Sequence, residues 1–209
     1  MPDSSADTLA IAGRARVEGR RRAEAHVPGE EGIWLLIAGD LLLFSVLFVI
    51  FLNYRAQQMG VFQAGHARLD QGWGLVNTLL MLSSSWFVAT AVQAARRQRA
   101  RAASRCFALA LSCGVGFVLV KVVEYGDKLR AGLTLTTDDF FMFYFIYTGI
   151  HLIHVLIGMG VLTALMVYSR SGDFVPAKLR HLETGASFWH LVDLLWIVLF
   201  ALLYLIGAR

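Results

Sequence analysis

The chain has 209 residues, of which 57% are hydrophobic and only 16% are charged. A soluble domain averages about 25% charged residues and scatters its apolar residues at helix or strand periods, whereas here they form long uninterrupted runs. Composition therefore excludes an ordinary soluble domain, and the net charge of +4 does not indicate nucleic-acid binding, because the arginines cluster between the apolar runs as they do in bacterial membrane loops.

The first 31 residues mix Ala, Gly, Arg and Glu without a large apolar face, and we interpret them as a disordered cytoplasmic tail. They also lack the apolar core of a signal peptide. Residues 32–209 contain five runs that reach the roughly 17–25 residues needed to cross a bilayer. The predicted spans are 32–53, 73–95, 104–125, 140–168 and 185–207. This pattern predicts an all-α membrane bundle of five transmembrane helices, in which short loops make consecutive spans antiparallel neighbours.

Lysine and arginine are distributed unevenly between the two sides of this bundle. The tail, the loop after the second span and the loop after the fourth span together hold thirteen of them, whereas the opposite side holds five. Because bacterial membrane proteins keep their basic loops in the cytoplasm, the N-terminus is predicted to be cytoplasmic and the C-terminus periplasmic. We therefore expect a multi-pass protein of the bacterial inner membrane.

Asp40 is the first ionisable residue within a predicted span, about 12 Å from the cytoplasmic end of that helix by helix rise. An unpaired carboxyl group at that depth would favour its protonated form. His190 in the fifth span lies at a similar depth, and a pairing between Asp40 and His190 is one hypothesis. A hydrogen bond from Asp40 to nearby backbone or to a hydroxyl group is the alternative.

The third span carries Lys121 and Glu124, three residues apart on one helix face near its outer end. We expect a local ion pair at the membrane edge, with Lys121 snorkelling toward the headgroups. Cys106 and Cys113 lie on the same predicted helix, separated by roughly 10 Å along its axis. That distance is too long for a disulfide, so we interpret both cysteines as packing residues.

His151 and His154 repeat the three-residue spacing near the middle of the fourth span. His190 and Asp193 do so in the fifth span, and Glu183 stands just before it. Polar side chains in membrane helices commonly bond neighbouring helices, and we expect His151 and His154 to do so as neutral imidazoles. Ligation of haem or copper, with His190 opposite His151 or His154, is the alternative. No cysteine or methionine cluster accompanies the three histidines.

Five groups of residues, one on each span and in the same order, resemble the motifs of the subunit III family of cytochrome c and quinol oxidases. The Thr-Gly-x-His-x-x-His-Val pattern at 148–155 and the Trp-His-x-x-Asp-x-x-Trp pattern at 189–196 weigh most, because together they account for every membrane histidine. The matching segments are Trp34–Phe44 with its carboxylate, Asn77–Leu80 followed by Ser83–Ser85, Lys121–Tyr125, Phe143–Gly158 and Glu183–Trp196.

Longer members of that family have seven helices, and the chain resembles their last five. The lipid-filled cleft that those members form with their first two helices would here need a wall from a partner. The Phe143–Phe145 segment and the Gly149–Leu152 segment also resemble a branch associated with nitric oxide reductase in denitrifying bacteria.

The resemblance implies a non-catalytic accessory subunit that carries no haem or copper of its own, these cofactors lying in a catalytic partner subunit. Subunits of this family pack against that partner, bind phospholipid, support proton uptake and protect the partner against turnover-linked inactivation. The resemblance also implies that Asp40 occupies the position of the family's reactive carboxylate. It makes the histidines of the fourth and fifth spans structural or lipid-facing.

Two functions of other classes remain open from the residues alone. Intramembrane Asp, Glu and His side chains are typical of proton pathways, which makes a small proton-conducting protein one alternative. Paired breaks by Gly or Pro would favour a transporter, but none of the three prolines lies inside a predicted span. A haem b membrane anchor is the other alternative, and it would require two of the membrane histidines as axial ligands.

Overall fold

The computed structural model describes residues 31–206, and all regular structure within them is helical. The helices in chain order are α1 (Glu31–Gln57), α2 (Met59–His66), α3 (Gln71–Arg96), α4 (Ala100–Arg130), α5 (Asp139–Arg170) and α6 (Pro176–Phe200), and a π-helix (Ala201–Leu205) continues α6. Five of these segments are long and apolar enough to cross a membrane, namely α1, α3, α4, α5 and α6 with its π-helix. The predicted five-helix bundle is confirmed, whereas the predicted tail lies outside the described residues apart from its last residue, Glu31, which opens α1.

Local sequence explains where several of these helices begin. Asp70 precedes α3 and accepts a hydrogen bond from the Gly72 backbone N–H at 2.8 Å. Asp138 precedes α5 and accepts from Phe141 N–H at 2.9 Å. Side-chain oxygens at these positions satisfy donors that the first helical turn leaves unpaired. Pro176, which needs no backbone donor, opens α6.

Two features of the chain differ from the sequence-based expectation. The prediction that Glu183 lies just before the fifth helix is wrong, because α6 begins at Pro176 and contains Glu183 within its length. The segment between the first two spans, predicted as a loop, folds in part into the short helix α2. A ring contact from Phe62 to Phe140 seats α2 on α5, with the ring centroids 5.8 Å apart.

Helices α3, α4, α5 and α6 each pack against the next in the chain, whereas α1 makes little contact with α3. The expectation that all consecutive spans are neighbours is therefore wrong for the first two. Helix α1 instead places Phe51 edge-on against Phe143 of α5, with centroids 5.7 Å apart, and Tyr147 of α5 donates a hydrogen bond to the Leu47 carbonyl. At its C-terminal end, Arg55 donates to the Ile206 carbonyl at 2.7 Å.

Helix α6 is the centre of the bundle. In its most apolar stretch 61% of the residues are buried, compared with 11% in α1. Trp189 fills the space beside Gly158 of α5, where an added β-carbon would lie 2.7 Å from the indole ring. Only glycine permits that approach between α5 and α6.

The turns alternate between the two ends of the bundle, as expected for antiparallel spans joined by short loops. At one end Gln98, in the α3–α4 turn, bonds both backbone groups of Phe174 in the α5–α6 loop, at 3.0 and 3.1 Å. At the other end Lys128 of α4 donates to the Arg68 carbonyl in the loop before α3 at 2.5 Å. Each end is thus closed by a contact between segments that are distant in sequence.

Candidate functional site

A buried ion pair lies in the half of the bundle nearer the α4 C-terminus. Lys121 Nζ and Glu124 Oε2 are 2.7 Å apart, and both side chains are only 1% exposed. Tyr204 completes a closed triangle by donating to Glu124 Oε1 at 2.6 Å, while its hydroxyl oxygen accepts from Lys121 Nζ at 3.1 Å. The structure contains the predicted ion pair. The expected snorkelling of Lys121 is wrong, because the ammonium group points into the bundle and is satisfied there.

Aromatic rings surround the Lys121 ammonium group. Its Nζ lies 4.8 Å from the ring centroid of Trp196, 5.3 Å from Tyr144, 5.6 Å from Tyr204 and 5.8 Å from Tyr125. Each ring face attracts a cation, by about 2 kcal/mol where the cation is desolvated. Burial of a lone ammonium group would be costly, and this cage together with Glu124 offsets that cost.

Residues from three helices build this aromatic cage. Lys121, Glu124 and Tyr125 lie one turn apart on α4, while Tyr144 comes from α5. Tyr204 stands in the π-helix that extends α6, and its carbonyl lies 2.9 Å from Nε2 of His66 in α2. π-Helical turns are uncommon and occur frequently at functional sites. Tyr204 and Tyr144 were not expected from the sequence as partners of Lys121, because the only signal for them is the need of a buried lysine for nearby ring faces or hydroxyl groups.

His151 sits at the centre of the bundle without a hydrogen-bond partner. Its side chain is fully buried, and neither ring nitrogen bonds any of residues 31–206. The imidazole packs against Trp196 with the ring planes tilted by 32° and the centroids 5.3 Å apart, and it meets the Phe117 ring edge-on at 5.7 Å. The expected hydrogen bond from His151 to a neighbouring helix is therefore wrong within the described chain, and aromatic packing holds the ring instead.

Asp40 faces His154 of α5. Its Oδ1 lies 3.7 Å from His154 Nε2, and both side chains are partly exposed. That separation is too long for a direct hydrogen bond but close enough for an electrostatic interaction when the imidazole is protonated. The other ring nitrogen of His154 lies 2.9 Å from the Ile150 carbonyl on its own helix. Asp40 thus approaches His154 and not His190, and the hypothesis based on matching depth is wrong.

His190 is engaged with α3. Its Nδ1 lies 2.5 Å from the hydroxyl of Ser85, a residue that the sequence marks only as part of the motif on the second span. Asp193, one turn further along α6, is 5% exposed, and its Oδ1 has no hydrogen-bond partner among the described residues. A further bond joins these helices, from Trp196 Nε1 to the Thr78 hydroxyl at 3.1 Å. The polar residues of α6 therefore tie it to α3.

Glu183 marks the surface end of the same interface. Its Oε1 accepts from Arg96 Nε at 3.0 Å and from Arg96 Nη2 at 2.8 Å. Arg96 is the last residue of α3, so this ion pair closes the α3–α6 contact where the helices leave the apolar region. Glu183 thus pairs across helices on the basic end of the bundle.

The membrane histidines do not converge on a common point. Within residues 31–206 no three His, Cys, Asp or Glu side chains are grouped as metal ligands. His154 lies between the Ile150 carbonyl and the Asp40 carboxylate, and His190 lies beside the Ser85 hydroxyl, while His151 is enclosed by aromatic rings. This geometry favours polar and aromatic packing over axial ligation of haem by these residues.

Known proteins that this chain resembles include subunit III of cytochrome c oxidases and of quinol oxidases. A family model described as cytochrome c oxidase subunit III matches residues 11–208. Cytochrome c oxidase subunit 3 of Corynebacterium diphtheriae is 28% identical over 203 residues, which cover 95% of this chain and 99% of the relative. Quinol oxidase subunit 3 of Bacillus subtilis is 26% identical over 176 residues, covering 84% and 86% respectively. A probable cytochrome c oxidase subunit 3 of Mycobacterium tuberculosis is 28% identical over 174 residues, covering 83% and 85%.

Proposed function

The chain belongs to the cytochrome c oxidase subunit III family, whose members are accessory subunits of respiratory haem–copper oxidases, and we propose that it stabilises the catalytic subunit of such an oxidase. It is a multi-pass bacterial membrane protein. The family match over residues 11–208 is the observation that carries the proposal. Haem and copper belong, on this proposal, to the partner, and the chain contributes packing and phospholipid binding.

The interior of the bundle supports a non-catalytic role. Several of its ionisable groups form contacts between helices, as in the cage around Lys121 and the bond between Ser85 and His190. The Asp40–His154 pair lies where α1 meets α5 and is partly exposed. We propose that Asp40 is the proton-linked carboxylate of the subunit and that the remaining intramembrane polar residues are structural.

We further propose that the N-terminus and the arginine-rich α3–α4 turn face the cytoplasm, in the inner membrane. The contact between Gln98 and Phe174 supports this arrangement, because it brings the two basic loops to one end of the bundle. The opposite end, with Arg55, Arg68 and Lys128, carries fewer basic residues. By the positive-inside rule the Gln98 end is then cytoplasmic.

Purification of the chain with its partners tests the proposal. A tagged chain is expressed in its own bacterium, membranes are solubilised in a mild detergent, and haem, copper and co-purifying subunits are assayed. We expect a catalytic oxidase subunit that contains haem and copper and consumes oxygen, with membranes bearing the untagged chain as the control. A lone chain would contradict the proposal, and a lone chain with its own Soret band would favour the haem b anchor. A partner that reduces nitric oxide in place of oxygen would favour the nitric oxide reductase alternative.

A further inference from the structure

Three arginines line one shallow cleft at the basic end of the bundle. The cleft has a volume of about 230 Å³ and lies between the start of α4 and the end of α5. Arg101 and Arg105 stand one turn apart on the same face of α4, and Arg170 is the last residue of α5. Ala100 and Ser104 complete the lining.

The positive charge in this cleft is not balanced by the chain that the structure describes. No carboxylate among residues 32–206 forms an ion pair with Arg101, Arg105 or Arg170, in contrast to Arg96, which pairs with Glu183. A guanidinium group stays charged at any ordinary pH, so the three like charges persist. Arg99 precedes α4, and its side chain caps none of the free N–H groups in the first turn of that helix. The partial positive charge at the N-terminus of α4 therefore adds to the positive potential of the three arginines.

An apolar surface continues below the arginines toward the middle of the membrane. Leu109 follows Arg105 by one turn on the same face of α4, and it is exposed. Val167 precedes Arg170 by one turn on α5 and is also exposed. A phosphate group would need only the cleft, whereas a lipid uses both surfaces, with its phosphate among the arginines and its acyl chains along Leu109 and Val167.

We propose that this arginine cleft binds the headgroup of an anionic phospholipid of the adjoining leaflet. Arginine forms paired hydrogen bonds to phosphate oxygens, and two helices supply donors from opposite sides. The ligand class is a phospholipid with net negative charge, such as phosphatidylglycerol. This inference deepens the lipid-binding part of the proposed function and does not depend on which catalytic subunit the chain accompanies.

Native mass spectrometry of the purified complex, titrated with phosphatidylglycerol in detergent, tests the site. The cleft variant is R105Q/R170Q, which removes one charge from each wall. The matched control is R97Q/R180Q, which removes two exposed arginines from the same end of the bundle but outside the cleft. We expect the cleft variant to weaken phosphatidylglycerol binding about 25-fold, since it removes two arginines and each arginine near an anionic lipid contributes a factor of about five. The control should bind as the unchanged protein does.

Further arms of the same experiment identify the ligand. Phosphatidylcholine is expected to bind the unchanged protein more weakly, with no difference between the two variants, and inorganic phosphate should not displace phosphatidylglycerol. Equal loss of phosphatidylglycerol in both variants would overturn the proposal, and so would displacement by inorganic phosphate. Loss of the catalytic subunit from the cleft variant, with lipid binding unchanged, would instead show that the cleft holds an acidic group of the partner. Because subunit composition is read in the same spectra, failure of the lipid site is distinguishable from failure of the accessory-subunit proposal.

Discussion

Removing the charge of Lys121 is expected to destabilise the chain strongly. Two opposite unit charges 2.7 Å apart, as in the pair with Glu124, attract by about 6 kcal/mol at an effective dielectric constant of about 20. Removal of one member of a buried pair costs roughly 3–5 kcal/mol, because the other charge stays buried without its partner. The Lys121→Met variant should therefore lose roughly 3–5 kcal/mol of its free energy of unfolding.

Reversible unfolding in mixed micelles containing increasing sodium dodecyl sulfate, followed by tryptophan fluorescence, measures this loss. Trp196, one of the five tryptophans that contribute to this signal, lies 4.8 Å from Lys121 Nζ. The double variant K121M/E124Q removes both charges and should be more stable than K121M alone.

Arg130→Gln is the matched control, because Arg130 forms an exposed pair with Asp127 at 3.5 Å on the same helix. An exposed pair contributes only about 0–1 kcal/mol. If K121M unfolds at the same denaturant concentration as R130Q, the structural role assigned to the buried pair is refuted.

Three further changes can be measured in the same unfolding assay. Gly158→Ala should cost about 1–3 kcal/mol, because its β-carbon would lie 2.7 Å from the ring of Trp189. The control Gly160→Ala has open space around it and should cost nothing, so equal effects would contradict the packing between α5 and α6. Ser85→Ala should cost about 0.5–1.5 kcal/mol by removing the hydrogen bond to a partly buried imidazole nitrogen, and an unchanged stability would show that the hydroxyl contact is not formed. Gln98→Ala removes the two hydrogen bonds to Phe174 and should cost about 1–3 kcal/mol. It should also speed proteolysis of the α5–α6 loop, and an unchanged cleavage rate would argue against this contact between the basic loops.

The helix count followed from the sequence because hydropathy depends only on composition along the chain. Helix ends were less accessible, since polar residues such as Glu183 continue a helix beyond the apolar region without any hydropathy signal. The π-helix at Ala201–Leu205 was likewise invisible, because its residues are as apolar as those of the preceding turns.

Partners across helices were the hardest feature to predict. Residue spacing placed Lys121 and Glu124 together because they share a helix face. The similar depth of Asp40 and His190 in the membrane suggested that they pair. Depth does not determine which helices are neighbours, however, and α1 packs against α5, which carries His154. The rings around Lys121 come from three helices, so no pattern along the chain could have assembled them.

Activity of the oxidase with and without this chain tests the central claim most directly. The complex is purified from a strain lacking the chain and from the parent strain, and oxygen consumption is followed per haem over many turnovers. We predict equal initial rates and a faster decline of activity without the chain, with the slower decline restored when the purified chain is added back. An initial rate abolished by loss of the chain, with haem and copper of the catalytic subunit intact, would contradict a non-catalytic accessory role.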